Sequence, residues 1–266
     1  MKTPTTSYVE SLAYQAGELL RNGFGGPMQV DLKGTIDLVT EMDHRSEEII
    51  FDRIQTDHPN HTIISEESGS LKNTGNQQWI IDPLDGTVNY AHGVPIFSVS
   101  IAYAEDGVVK IGVVYDPMQD ECFSAELGNG ARLNGQLISP AKTTDLNSSL
   151  LVTGFPYDIR THPENNLDLY ARFTLISRGV RRFGSAALDL SYVAAGRVDG
   201  YWEIRIHLWD IAAGGLIAQE AGAVVTKVYG ERDYLNPPYS ILAANPRVHP
   251  EMLEVFKEYR LERNLI

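Results

Sequence analysis

The chain has 266 residues, 43% hydrophobic and 21% charged, the balance of an ordinary globular protein with ample material for a buried core. Its 22 Lys and Arg stand against 35 Asp and Glu, a net charge of −13 that repels a phosphate backbone, so no nucleic-acid partner is expected. A single cysteine, Cys122, excludes an intramolecular disulfide and a cysteine-rich zinc site; it reads as a small core residue in a reducing, cytoplasmic setting.

The opening MKTPTTSYVE has no apolar signal core, and no run of about 18 apolar residues occurs, so neither a signal peptide nor a membrane span is expected. Val9, Leu12, Ala13, Ala16, Leu19 and Leu20 recur at helical spacing and predict a helix over 6–22, ended by Gly23, Gly25 and Gly26. A second helix is predicted over 42–57, with Ile49, Ile50 and Ile54 inward. Short strands follow at 61–65 and 77–82. Residues 95–126 alternate, with turn signals at Glu105-Asp106-Gly107 and Asp116-Pro117, and read as an antiparallel meander.

Near 140–150 the texture changes. SLLVTG (149–154) reads as a strand, 163–178 as a helix, and 185–195 as a helix closed by Gly196. Strands at 199–204 and 239–245 then alternate with helices at 209–222 and 249–262, the last opened by Pro250. The expected organisation is an α+β half with an antiparallel sheet and most candidate metal ligands over 1–145, and an α/β half over 146–266 that completes the site.

The most informative stretch is WIIDPLDGTVNY (79–90). Pro83 biases Asp82 toward extended backbone, so a strand should reach Asp82 before the chain turns. Asp82, Asp85 and the Leu84 carbonyl can then face one space, an oxygen donor set suited to a hard cation such as Mg²⁺. Backbone N–H groups of Gly86 and Thr87 can seat a phosphate oxygen. An ordinary Asp-Pro and Asp-Gly turn is the plainer alternative. Three further acidic positions sit at strand ends or helix starts: Glu66 beside Glu67 in ISEES, Asp43 in DLVTEMD, and Asp210 in LWDIAAGG. For Asp43 and Asp210 a capping role is the simple account. The Asp-x-Asp-Gly-Thr pattern of haloacid-dehalogenase-like enzymes is excluded, because position 83 is proline. P-loop, HExxH and Rossmann patterns are absent, since Gly128, Gly130 and Gly135 have the wrong spacing.

DLVTEMD (37–43), ISEES (64–68), WIIDPLDGTVNYAH (79–92), FGSAALDLSYVAAG (183–196) and YWEIRIHLWDIAAGGLIAQEAG (201–222) together resemble the inositol monophosphatase family of Mg²⁺-dependent, Li⁺-sensitive phosphatases. The resemblance implies a five-layered αβαβα sandwich of the sugar-phosphatase type, a homodimer, and two or three Mg²⁺ ions, with Mn²⁺ as a substitute. By position, Glu66, Asp82 and the Leu84 carbonyl hold a first ion, Asp82, Asp85 and Asp210 a second, and Glu66 a weaker third through water. Thr87 with Asp43 orients the attacking water. Gly86 and Thr87 meet the phosphate, and Gly184, Ser185, Ala186 and Glu203 the alcohol portion.

Four residues stand apart from these roles. Lys33 stands near a lysine common in the family. Arg205 replaces a small residue and can pair with Glu203, reach a second phosphate, or stand as a solvated strand-end arginine. His92 and His207 are expected to pack or hydrogen-bond. The expected reaction is Mg²⁺-dependent hydrolysis of a small-molecule phosphate monoester, myo-inositol 1-phosphate first. Fructose 1,6-bisphosphate, histidinol phosphate and 3′-phosphoadenosine 5′-phosphate are alternative substrates. A binding factor associated with RNA polymerase, as some bacterial relatives are, is the non-enzymatic alternative.

Overall fold

The computed structural model describes residues 3–26, 30–32, 38–71 and 75–263. Helix α1 (Thr6–Gly23) is capped by Thr5, whose side chain accepts from the Tyr8 amide, and it buries Val9, Leu12, Ala13, Ala16 and Leu20. Two short antiparallel strands, β1 (Val30–Leu32) and β2 (Leu38–Thr40), lead into α2 (Glu41–Asp57).

The first large sheet contains β3 (Thr62–Ser65), β4 (Gly69–Leu71), β5 (Gln77–Asp85), β6 (Ser98–Glu105), β7 (Val108–Asp116), β8 (Glu121–Glu126), β9 (Ala131–Leu133) and β10 (Gln136–Leu137). Its order is β10-β9-β8-β7-β6-β5-β3-β4, antiparallel except where β3 runs parallel to β5. A short helix, α3 (Thr87–Ala91), follows β5 directly.

The second sheet contains β11 (Leu150–Thr153), β12 (Gly179–Arg181), β13 (Gly200–Ile204), β14 (Val224–Thr226) and β15 (Ser240–Ala244), in the order β12-β11-β13-β15-β14. Here β11 pairs parallel with β12 and β13, while β15 pairs antiparallel with β13 and β14. Its helices are α4 (Leu167–Ile176), α5 (Ala186–Ala194), α6 (Leu208–Ala221) and α7 (His249–Glu262).

Alternation along the strands stacks these elements into layers. On β5, Trp79 and Ile81 pack with α1 and α2, while Ile80 points the other way into a cluster with Leu188, Leu190, Ile211 and Ile217 of α5 and α6. On β13, Tyr201 joins that middle cluster, and Trp202 packs outward with Phe173 of α4 and Phe256 of α7. The five layers expected from the sequence are therefore present: helices, sheet, helices, sheet, helices. Each buried aromatic or aliphatic side chain contributes about 1.5–3 kcal/mol to that stack. Gly112 shows how tightly it closes, since a Cβ there would lie 2.7 Å from the Ala213 carbonyl oxygen on α6.

Several boundaries differ from the sequence reading. Strand β5 runs to Asp85 rather than Asp82, with its register broken between the two aspartates. Pro83 has no N–H to give the ladder, the Leu84 amide turns back to Asp82 Oδ1 at 3.0 Å, and pairing resumes at Asp85 opposite Ser98. Helix α4 is shorter than the 163–178 expected. Asn166, at φ +70°, ties itself to Thr153 Oγ1 and the Gly154 carbonyl and so precedes the helix, while 179–181 pairs as β12. The short strands β1, β2, β4, β9, β10, β12 and β14 carry too few residues to show a period and were not expected.

Candidate active site

The break in β5 sets the centre of the site. It carries Asp82 and Asp85 to the end of the strand, 2% and 7% exposed. Gly86 follows at φ +102°, a conformation that favours glycine, and a Cβ there would also press on the Ile96 carbonyl at 3.0 Å. The chain then enters α3 with Thr87.

Asp85 is held from across the layers. Its Oδ2 accepts from Ser185 Oγ at 2.5 Å and from the Ala187 amide at 2.8 Å, and its Oδ1 accepts from the Ala186 amide at 3.2 Å. These are the first groups of α5, where amide donors are open to a carboxylate. Asp210 sits in the first turn of α6 and accepts from the His207 amide at 2.9 Å. Asp43 lies in the first turn of α2. One oxygen accepts from the Thr40 amide (2.8 Å) and Thr40 Oγ1 (2.6 Å), and the other accepts from Thr87 Oγ1 at 2.9 Å. Asp43 therefore both caps α2 and bonds the start of α3.

Electrostatics bind the acidic groups into one cluster. Burial pushes the Asp82 carboxyl well above the ordinary range, and the negative charges of Glu66, Asp85 and Asp210 push it further, against the Leu84 amide. Asp210 is raised by burial, then by Glu66 and Asp85. Asp85 is raised by burial, and its bonds to Ser185, Ala187, Ala186 and Ser98 counteract it. Among the described residues no lysine or arginine forms an ion pair with Asp82, Asp85 or Asp210. Buried, like-charged oxygen donors of this kind fit a hard cation. Among the described residues no three His, Cys, Asp or Glu side chains close into a finished ligand cage.

A cavity of about 570 Å³ opens beside the cluster. Of the residues singled out in the sequence, Asp85, Gly86, Thr87, Gly184, Ser185, Ala186, Glu203, Arg205, His207 and Asp210 line it, whereas Asp43, Glu66, Asp82 and Leu84 do not. The Leu84 carbonyl accepts from Thr87 Oγ1 at 3.0 Å. Glu203 accepts from the Tyr201 hydroxyl at 2.6 Å through Oε2. Its pKa is pushed up to about 7, chiefly by burial and also by Asp85, while Tyr201 and Arg182 oppose the rise. Gly154 faces Glu203 so closely that any Cβ would overlap the carboxylate.

Of the readings of Arg205, the pairing with Glu203 is not seen. Its guanidinium pairs with Asp158 at 2.5 Å, and Glu203 is engaged by Tyr201 instead. His207 stacks on Trp209 at the cavity rim, and His92 ends α3 with an exposed side chain. Cys122 is a buried core residue of β8. Lys33 lies outside the described residues. Sequence reasoning missed Asn89, Arg182 and Asp189. Asn89 Nδ2 bonds the Ile96 and Phe183 carbonyls and so fixes α3 against the entry to α5. Asp189 carried a signal: a lone acid within the otherwise apolar AALDLSYVAA.

Comparisons with known proteins agree with this geometry. The family model described as "Inositol monophosphatase family" matches residues 1–261. A protein of Escherichia coli named "Nus factor SuhB" is 42% identical over 253 residues, covering 94% of each chain. An "Inositol-1-monophosphatase" of Mesorhizobium japonicum is 40% identical over 249 residues, covering 92% of this chain and 93% of the relative. The structure of the inositol monophosphatase from Anabaena (Nostoc) superposes with a TM-score of 0.84 at 41% identity, covering 93% of both chains. The chain belongs to the inositol monophosphatase family. Among the described residues no helix is long and apolar enough to cross a membrane.

Proposed function

Proceeding from that membership, we propose that the protein is a Mg²⁺-dependent phosphatase of small polyol phosphates, with myo-inositol 1-phosphate as its first substrate. One observation carries this reading: a buried carboxylate cluster, with no cationic side chain paired to Asp82, Asp85 or Asp210 among the described residues, abuts a cavity edged by Glu203. Glu66, Asp82, the Leu84 carbonyl, Asp85 and Asp210 would hold the Mg²⁺ ions, or Mn²⁺ in their place. When bound, the metal supplies Lewis-acid activation of water and charge neutralisation at the leaving oxygen.

The chain's own groups account for positioning. Thr87 can give its hydroxyl proton to Asp43 and accept a hydrogen bond from the attacking water, which turns the water's lone pair toward phosphorus. Attack forms a new P–O bond and breaks the ester P–O bond; one proton of the water passes to the departing alkoxide, giving the free alcohol, and the other stays on the inorganic phosphate. Gly86 and Thr87 border the phosphate. Glu203 keeps Oε1 for substrate hydroxyls, because Tyr201 occupies Oε2. A homodimer in the cytoplasm and inhibition by Li⁺ at Asp82, Asp85 and Asp210 belong to the same proposal.

The test is phosphate release from myo-inositol 1-phosphate with MgCl₂, beside fructose 1,6-bisphosphate, histidinol phosphate and 3′-phosphoadenosine 5′-phosphate. Mg²⁺-dependent release from the inositol ester ahead of the others is expected. Release from another ester first would move the substrate, and silence on all four would sink the phosphatase reading. The name of the Escherichia coli relative favours a second, binding role. Asp85→Asn separates the two roles, because turnover should be lost while a binding function should survive.

A further inference from the structure

The cavity contains a carboxyl group that the proposed reaction leaves idle. Asp189 lies one turn into α5, where its buried neighbours are Ala187, Leu188, Leu190, Ser191, Val193 and Ala194. It is 2% exposed, yet it lines the cavity. Its Oδ1 is buried without a hydrogen-bond partner. A buried, unsatisfied polar atom destabilises the fold, and a leucine there would avoid that cost. Burial, with the negative charges of Asp85 and Glu203, raises its pKa well above the carboxylate range, and Arg182 only partly opposes this. The protonated carboxyl, with one O–H donor and a carbonyl acceptor, is thereby favoured over the carboxylate.

Glu203 borders the same cavity with an oxygen that Tyr201 does not occupy. Tyr201 holds one Glu203 oxygen, and Asp189 Oδ1 has no partner, so each carboxyl group keeps hydrogen-bonding capacity toward the cavity they share. Neighbouring hydroxyls match such a pair, since a hydroxyl both donates and accepts and two of them can engage one carboxyl group each. An aryl or simple alkyl leaving group has nothing to offer either of them.

We propose that Asp189 is a specificity-determining residue whose carboxyl hydrogen-bonds the hydroxyl groups of a polyol phosphate in this cavity. The inference rests on the phosphatase reading and deepens it. The substrate class is the phosphate esters of polyhydroxylated alcohols, selected against aryl phosphates by Asp189 together with Glu203.

The experiment compares Asp189→Leu, close in volume, with Asp189→Asn, which keeps a donor and an acceptor. KM and kcat are measured on Mg²⁺-loaded protein for myo-inositol 1-phosphate and p-nitrophenyl phosphate. The Leu variant should raise KM for the inositol ester about tenfold or more and leave the aryl ester within about twofold, with Asn restoring most of the loss. Equal changes on both esters would mark a packing role and overturn the proposal, as would no change on either.

A turnover-free readout runs beside it: the rise in melting temperature given by myo-inositol with inorganic phosphate. The Leu variant should lose that rise and the Asn variant keep it. If wild type hydrolyses neither ester, the phosphatase reading fails, and this readout alone decides Asp189; no difference between Leu and wild type overturns the proposal. If the Leu variant does not fold, Asp189→Ala is measured under the same criteria.

Discussion

Thr87 Oγ1 donates to Asp43 Oδ1 across 2.9 Å, although the two residues lie 44 positions apart. The bond joins the start of α3 to the start of α2, and the Thr40 cap fixes the second Asp43 oxygen. Thr87→Val removes the hydroxyl and leaves that cap intact. It should lower kcat by about 10²–10⁴ with little change in KM. Asp43→Ala should lose similar activity and, in addition, about 1 kcal/mol of folding stability from the broken cap. Steady-state kinetics and urea unfolding of both variants read the two effects separately.

Asp82 shares its neighbourhood with three other carboxyl groups. Asp82→Asn removes a charge while an amide oxygen can still accept from Leu84. Metal-free protein should therefore be stabilised by about 1–2 kcal/mol, with activity abolished. Adding Mg²⁺ should raise the melting temperature of wild type and leave that of the variant nearly unmoved. An equal rise in both would remove Asp82 from the ligand set.

Glu203, with its pKa pushed up to about 7, gains acceptor capacity as pH rises through neutrality. Tyr201, Asp85 and Arg182 act on it, and Asp189 and Asp210 feel its charge in turn. KM for a polyol phosphate should fall as pH rises through about 7, and Glu203→Gln should flatten that step. Folding stability moves the opposite way. Between the ordinary 4.5 and about 7 the native chain holds a proton that the unfolded chain releases, so this contribution is lost as pH rises across that window. KM profiles of the two proteins, taken as a ratio, cancel the titration of the substrate itself.

His249 meets Thr226 Oγ1 at 3.0 Å and is 5% exposed. Burial lowers its pKa from 6.5 to about 4. The unfolded chain takes up a proton on His249 before the native one does, so stability falls as pH drops below 6.5. The loss should reach about 3 kcal/mol near pH 4. Chemical unfolding across that range, with His249→Gln as the control, measures it; an unchanged slope in the variant would assign the loss elsewhere.

Much of this architecture was legible in the chain because long elements advertise their periods. The apolar stripe of α1 and the alternation of β6 to β8 needed no tertiary information. Asp82, Asp85 and Asp210 could be placed near strand ends or helix starts from Pro83, Gly86 and the LWD segment. What escaped depends on contacts between distant segments. The partner of Arg205 is Asp158, 47 residues away, and no local pattern announces it. Asp189 stands out in sequence only as a lone acid in the apolar AALDLSYVAA, and the cavity beside it is what reveals an unanswered oxygen. The break in β5 was partly visible, since Pro83 marks the irregularity but not the resumed pairing at Ser98.

The grip of Ser185, Ala186 and Ala187 on Asp85 is also a suture between layers that fold from opposite halves of the chain. A slight sliding of α5 along the first sheet would spoil the site while leaving both sheets and their backbone ladders whole. Catalytic competence thus reports on the seam rather than on the cloth. In rising urea, turnover should vanish before far-ultraviolet circular dichroism changes, and a proteolytic nick between the halves that leaves the seam closed should be tolerated.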